Sequence, residues 1–299
     1  MSLVRIQFTL FSAFYSPLIS TMTGGFLKDE GLDYEWSIAK PGVSALKALE
    51  NGDAVVVQSA LSQGFAALAN GTPPTARHFA QVNSMDGFFI TGRQPDPDFT
   101  MAKLEGASVL VHHGTQPMAM FRYACHRAGI DAAKIDMIDA GSAAAMDEAF
   151  RAGTAAYIHQ QGPAPQQLEA DGAGYVVGQL GPLIGDCGFS SLAALPAWLE
   201  SPEAAAFMRA YRKTRDYIND APAAEIAAAE AALFPSTELS VLTDCIATYQ
   251  QLGTWSRHVE ITPEAYAATQ DIFAYNNLLA ERYPYEAICC QPPSSGSTL

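Results

Sequence analysis

The chain has 299 residues, 49% of them hydrophobic and 16% charged, with a formal net charge of −14. That length and apolar content fill the cores of two domains of ordinary size. The acidic balance repels phosphate backbones and anionic lipid, which argues against a nucleic-acid partner, and no run of about 18 apolar residues offers a membrane span.

Met1 to Leu10 carries one basic residue and alternates like a strand, so it does not read as a signal peptide. The expected compartment is periplasmic if an export signal has been removed, and cytoplasmic if this start is native. Five scattered cysteines form no disulfide framework. No CxxC, HExxH or Cys/His cluster has zinc spacing, so neither a metal nor a cofactor is expected.

In chain order, Val4 to Leu10 reads as the first strand and Phe11 to Pro17 as a loop into a helix. Asp33 to Ile38 is a second strand. Val43 to Asn51 is a short helix that drops through Gly52 into the apolar strand Ala54 to Val57. Gln58-Ser59-Ala60 opens the next helix, and Arg77 to Val82 and Phe88 to Thr91 are further strands.

Ser108 to Val111 is a buried strand leading to a sharp loop. There Gly114 is expected to take an unusual backbone angle and Thr115 to cap the following helix. That helix carries Met118, Phe121 and Cys125 on one face and stops at Gly129. A strand–loop–helix unit directs free N–H groups and the positive end of a helix dipole to the carboxyl edge of a sheet, where ligands of open α/β sheets bind.

The pattern then repeats. Gly31-Leu32-Asp33 recurs as Gly129-Ile130-Asp131, and Ala48 to Ala54 as Ala149 to Ala155. In both copies an amphipathic helix ends at Gly and enters a buried strand, the second being Ala155 to Ile158. Two landmarks at similar offsets predict two lobes of like build. Tyr175 to Leu180 is a strand and Cys187 to Leu195 an extended segment. Ser201-Pro202-Glu203 starts a long helix whose Arg209, Arg212, Lys213 and Arg215 read as a solvated face. Ala221 to Leu233, Glu238 to Leu252 and Pro263 to Leu279 read as helices, and Pro292 to Leu299 as a disordered tail.

The motifs now resemble a family. They are Phe26-Leu27-Lys28-Asp29-Glu30-Gly31-Leu32-Asp33-Tyr34-Glu35, Ala48 to Ala54, Lys103-Leu104-Glu105-Gly106 ahead of the strand at Ser108, Gly114-Thr115, and Trp198-Leu199 before Ser201-Pro202-Glu203. In order and spacing they resemble the NMT1/THI5-like, or SsuA-like, branch of ABC-transporter substrate-binding proteins. The resemblance implies a type II periplasmic-binding-protein α/β fold, with two lobes, a central cleft and two crossing segments near Gly87–Arg93 and Gly188–Leu195. Lobe one would comprise residues 1–88 plus 190–299, and lobe two residues 89–189.

It also implies a solute-binding protein that captures a small molecule, of the pyrimidine thiamine-precursor, sulfonate or nitrate class, for a transporter permease. A thiamine-pyrimidine synthase or a cytosolic ligand sensor is the alternative. The synthases carry Lys and His four apart after the third strand, where this chain has Gln58 and Ser62, and a cysteine-rich run where it has only Cys187.

The resemblance places ligand contacts in the facing loops. Lobe one offers Ser12 and Tyr15, the latter able to stack on a planar ring or to serve as core, and Gln58 and Ser59, which can hydrogen-bond a ligand or cap a helix. Lobe two offers His113, Thr115 and Gln116, with Gln160 mirroring Gln58. Asp186 stands near the return crossing, to pair an amino group or to cap a turn. No Gly-x-Ser-x-Gly elbow supports catalysis by Ser59 with His113, so no catalytic residue is assigned.

Overall fold

The computed structural model describes residues 1–40 and 43–294. Strand β1, Ser2–Phe8, turns Val4, Ile6 and Phe8 inward, the period-two pattern of a pleated strand. It lies parallel to β2, Leu32–Ile38, on one side and β3, Val56–Ser59, on the other. β4, Arg77–Asn83, completes this stretch of chain but does not pair with β3. Between them sits β10, Ser190–Ala194, antiparallel to both, giving the order β2-β1-β3-β10-β4.

The second sheet copies the first. It contains β5, Phe88–Gly92; β6, Ser108–Leu110; β7, Asp136–Ile138; β8, Tyr157–Gln161; and β9, Tyr175–Gln179. Their order is β7-β6-β8-β5-β9, with β5 antiparallel to β8 and β9. Each sheet thus takes its fourth strand from chain that has just crossed from the other. Both crossing strands are buried along their whole length, because helices cover both faces. This is the two-lobed α/β fold with two crossings that the resemblance implies, and the strands at Val4 and Ser108 lie in different sheets.

Several elements differ from the sequence reading. The helix expected over Val43–Asn51 is only Leu46–Glu50, and Val43 is exposed. Strand β8 begins at Tyr157 and runs on to Gln161, carrying the sheet closer to the loop than the apolar run suggests. The helix expected to reach Leu279 ends at Tyr275.

The helix Pro202–Asp220 is capped by Ser201, whose Oγ accepts the Ala204 N–H at 3.1 Å. Its basic cluster is not one solvated face. Arg209 and Lys213 pair with Glu30 at 2.7 Å each. Arg215 is fully buried and gives its guanidinium N–H groups to the Val82 carbonyl at 2.7 Å and the Ser256 carbonyl at 2.8 Å. The aliphatic stem and delocalised charge of arginine suit that setting.

The C-terminal segments do more than cover sheet one. Helix Leu239–Leu252 packs on Ala164–Ala170 of the second lobe, and helix Pro263–Tyr275 packs on Thr115–Arg127. Asn276 donates Nδ2–H to the Ala119 carbonyl at 3.0 Å, and Tyr275 stacks on His126 with ring centroids 4.3 Å apart. Beyond Ile288 the chain bridges the free edge of β4 through Cys289 and His78. The start of the expected tail is ordered: Pro292 is buried and the Pro293 carbonyl accepts from Arg212. Residues 295–299 of that tail lie outside the described residues. No helix is long and apolar enough to cross a membrane among the described residues.

Candidate ligand cleft

The loops that end β1, β3, β6 and β8 meet between the lobes. After β1 the chain makes a single 3-10 turn, Ala13–Tyr15, capped by Ser12. Ser12 Oγ accepts the Phe14 N–H at 3.1 Å and donates to the Gly162 carbonyl at 2.6 Å, which lies in the loop after β8. Tyr15 is buried and its hydroxyl accepts from Gln161 Nε2 at 3.3 Å. Burial pushes the Tyr15 phenol well above its ordinary range. Two of the lobe-one candidates therefore reach directly across to lobe two.

Gln116 makes the third link. Its Nε2 donates to the Phe189 carbonyl at 2.5 Å and its Oε1 accepts from Ser62 Oγ at 3.2 Å. Its neighbours in the loop behave differently. Thr115 is exposed and is the first helical residue; the cap position belongs to Gly114, whose φ of −60° is ordinary backbone. Both expectations for this turn are thus corrected. A Cβ at Gly114 would lie 3.0 Å from the His112 ring, so a larger residue there would make that ring shift slightly. His113 is exposed, with Nδ1 2.7 Å from the Val111 carbonyl and 3.8 Å from Asp139.

Gln58 is buried but already engaged within sheet one. Its Oε1 accepts the Thr9 N–H at 3.0 Å and its Nε2 donates to Ser190 Oγ at 2.7 Å. It pins the end of β1 to the crossing strand β10. Ser59 and Gln160 are buried too, and neither the Ser59 hydroxyl nor either Gln160 amide atom has a partner. Asp186 is exposed on the second crossing, in a cavity at the hinge.

Sequence reasoning missed several residues. Tyr249, from helix Leu239–Leu252, accepts the Gly162 N–H at 2.8 Å and donates to the Gly87 carbonyl at 2.9 Å. Nothing local in the sequence signals this. Asp86 sits in the first crossing, fully buried; Oδ1 accepts the Phe88 N–H at 2.8 Å and Oδ2 has no partner. Burial raises its carboxyl to about 7. An acid beside Gly87 at an expected crossing was a legible signal. His159 stacks on Phe88 at 4.3 Å and lies 5.1 Å from Phe121, with neither ring nitrogen partnered. Burial, then the neighbouring His112, hold it well below the ordinary imidazole range, so it is neutral.

The facing loops, residues 9–15, 58–62, 111–116 and 161–163 with the crossings 84–87 and 180–189, contain no Lys or Arg. They present hydroxyls, amides, imidazoles, aromatic rings and the carboxyls of Asp86 and Asp186. Such a surface offers hydrogen bonds and stacking, and gives an anion no cationic side chain to pair with. Among the described residues no group of three His, Cys, Asp or Glu could hold a metal ion. Two grooves lie beside the cleft: one of about 610 Å³ along β9 and one of about 420 Å³ at the hinge. Between the lobes, the hydrogen bonds above and the packing of Phe14 on Phe189 close the gap.

This geometry has counterparts. YtlA, a candidate binding protein of Bacillus subtilis (strain 168), is 25% identical over 289 residues, covering 95% of this chain and 86% of its own. A ligand-binding component of an ABC-type import system from Staphylococcus aureus, solved with zinc bound, superposes with a TM-score of 0.74 at 15% identity, covering 97% of each chain. The alkanesulfonate-binding protein SsuA from Xanthomonas axonopodis pv. citri, bound to MOPS, gives a TM-score of 0.72 at 17% identity, covering 96% of this chain and 98% of its own. At such identities these structures establish the fold. The NMT1/THI5-like family model matches residues 14–225, most of both lobes, and the chain therefore belongs to the NMT1/THI5-like family.

Proposed function

We propose that the protein is the solute-binding component of an ABC importer and captures one small organic molecule or anion between its lobes for the permease. The observation that carries this is the meeting of like loops from two sheets of the same topology. Ser12, Tyr15 and Gln116 reach across, while Ser59, Gln160 and His159 hold buried polar groups without partners at the strand ends. Buried polar atoms are normally paired, and an unpaired one at a strand end facing the cleft is where a polar ligand or ordered water belongs. The moving bodies are residues 1–88 plus 190–299 and residues 89–189, hinged at the two crossings. A ligand touching both stabilises the closed arrangement by its preference for it.

The test is a thermal-shift screen of pyrimidines, alkanesulfonates, nitrate and aromatic acids, followed by calorimetry on the best binder. A true ligand raises the midpoint through mass action. Gln116→Ala removes a link between the lobes and should weaken binding by about 1–3 kcal/mol while the fold survives. Unchanged affinity in Gln116→Ala, Ser59→Ala and Tyr15→Phe alike would place the ligand elsewhere.

A further inference from the structure

The contacts between the lobes fall on two flanks of unlike build. On one flank helix Leu239–Leu252 of lobe one lies against helix Ala164–Ala170 of lobe two. Its Tyr249 is fully buried, and the hydroxyl accepts the Gly162 N–H at 2.8 Å and donates to the Gly87 carbonyl at 2.9 Å. Ser12 Oγ donates to the Gly162 carbonyl at 2.6 Å. Lobe one therefore holds both backbone groups of one residue in lobe two. The approach is close, since a Cβ on Gly162 would collide with Cys245 Sγ of the same helix. Rings from both lobes surround the grip: Phe14 lies 5.1 Å from the Tyr249 ring, Phe89 of β5 5.5 Å and Trp255 5.7 Å.

On the other flank helix Thr115–Arg127 of lobe two meets helix Pro263–Tyr275 and, through Gln116, helix Leu61–Ala69. The links there are single side-chain contacts near water. Gln116 Oε1 accepts from Ser62 Oγ at 3.2 Å, and Asn276 Nδ2 donates to the Ala119 carbonyl at 3.0 Å. Asn276 Nδ2 has a second acceptor within its own lobe, the Ile272 carbonyl at 2.8 Å. Tyr275, 45% exposed, stacks on an exposed His126.

Parting the first flank strips buried rings of their packing and leaves buried backbone groups without partners. Parting the second mainly wets groups that already touch water. The bond to Gly87 adds a geometric reason, for it ties Tyr249 to the first crossing, and a point on a crossing moves least when the lobes turn. We infer that Tyr249 is the fixed pivot of the lobe motion, and that the cleft opens on the flank of helix Thr115–Arg127, breaking the Gln116–Ser62 and Tyr275–His126 contacts. Ser12 and Gly162 stay joined while a ligand enters past Thr115. This pivot rests on the reading of the lobes as moving bodies, whatever they capture.

Paired spin labels on the full chain, read by pulsed electron resonance, test it without a ligand. Ala66→Cys with Thr115→Cys spans the opening flank, and Ala170→Cys with Asp244→Cys spans the Tyr249 flank; all four positions are exposed. Cys290→Ser removes the one native cysteine that is not buried. Adding Gln116→Ala and Asn276→Ala should shift the first pair to longer distance and leave the second in place, whereas Tyr249→Phe should broaden the second. In the parent chain the Gly162 amide should exchange its hydrogen only with the buried strands, at the urea slope of global unfolding. A second pair that lengthens along with the first overturns the pivot while leaving the lobes mobile. So does a second pair left narrow by Tyr249→Phe, or Gly162 exchange through a smaller opening. A first pair that stays fixed when Gln116 and Asn276 are both truncated makes the lobes one rigid body, which overturns the moving-body reading and the pivot with it.

Discussion

Glu230 lies fully buried between helices, with Ser20 Oγ donating to Oε1 at 2.6 Å and Ser16 Oγ 2.8 Å from Oε2. Ser16 also contacts the Ala13 carbonyl at 2.7 Å, and its single proton cannot serve both. A protonated carboxyl resolves the conflict by donating to Ser16, in keeping with a pKa that burial raises to about 8. The folded chain then holds a proton that the unfolded chain releases. Stability is whole below about 4.5 and is lost as pH rises toward 8, by about 1.4 kcal/mol per pH unit within that window. Asp86 adds a like loss up to about 7. Glu230→Gln should therefore flatten the dependence of the urea midpoint between pH 7 and 8, where Asp86 no longer contributes, and equal slopes in both proteins would sink this account. On the acid side His78, lowered to about 3 by burial, works oppositely, and its contribution is lost as pH falls below about 6.5. Gly162 gives a second residue-scale prediction, for Ser12 takes its carbonyl and Tyr249 its N–H. Tyr249→Phe should cost about 1–3 kcal/mol in urea unfolding, because two buried backbone groups lose their partner, and Ser12→Ala less, about 0.5–1.5 kcal/mol. The candidates along Val111–Gln116 show what sequence can and cannot resolve here: the place of the loop between strand and helix was legible, but its cap and the direction of each side chain were not. Gln116 turns inward while Thr115 and His113 face water, and Gln58, chosen by the same logic as Gln160, has both amide atoms engaged where Gln160 has neither.

At the scale of elements, the crossings decide how freely the lobes move. Gly87 lies against the Phe14 ring so closely that a Cβ would fall within it, and Phe14 also packs on Phe189 of the other crossing and on Tyr249. Gly87→Ala must push that ring aside. It should destabilise the protein by about 1–3 kcal/mol and enlarge the radius of gyration seen by small-angle scattering as the lobes part. A destabilised chain of unchanged radius would mean that the strain is absorbed locally. The order of the elements was legible because each half writes the same strand–helix pattern in period and punctuation. The antiparallel insertion of β5 and β10 was not written locally, since a buried strand looks the same in either direction; the resemblance supplied the two crossings but not their direction in the sheets. Arg215 misled for a related reason. Helical spacing puts it near Arg212, but its carbonyl partners, Val82 and Ser256, are supplied by distant chain.

Across the whole molecule, the two sheets are built from very different stretches of chain. The second uses only strands between Phe88 and Gln179, whereas the first has a gap that only Ser190–Ala194 can fill. On a ribosome the second lobe's strands are complete while β4 still waits without a sheet neighbour, because its strand partner is β10. Synthesis thus delivers a finished lobe inside an unfinished one. Local pairings form sooner than distant ones, so refolding followed by pulsed hydrogen exchange should protect β5, β6 and β8 ahead of β4 and β10. Simultaneous protection of both sets would mean that the lobes fold as one unit. A chain stopped before Ser190 leaves β4 a bare edge beside a formed domain, the kind of strand that pairs with its neighbours' chains. The same insertion that lets two lobes share one hinge therefore makes the last third of the chain the guardian of the first.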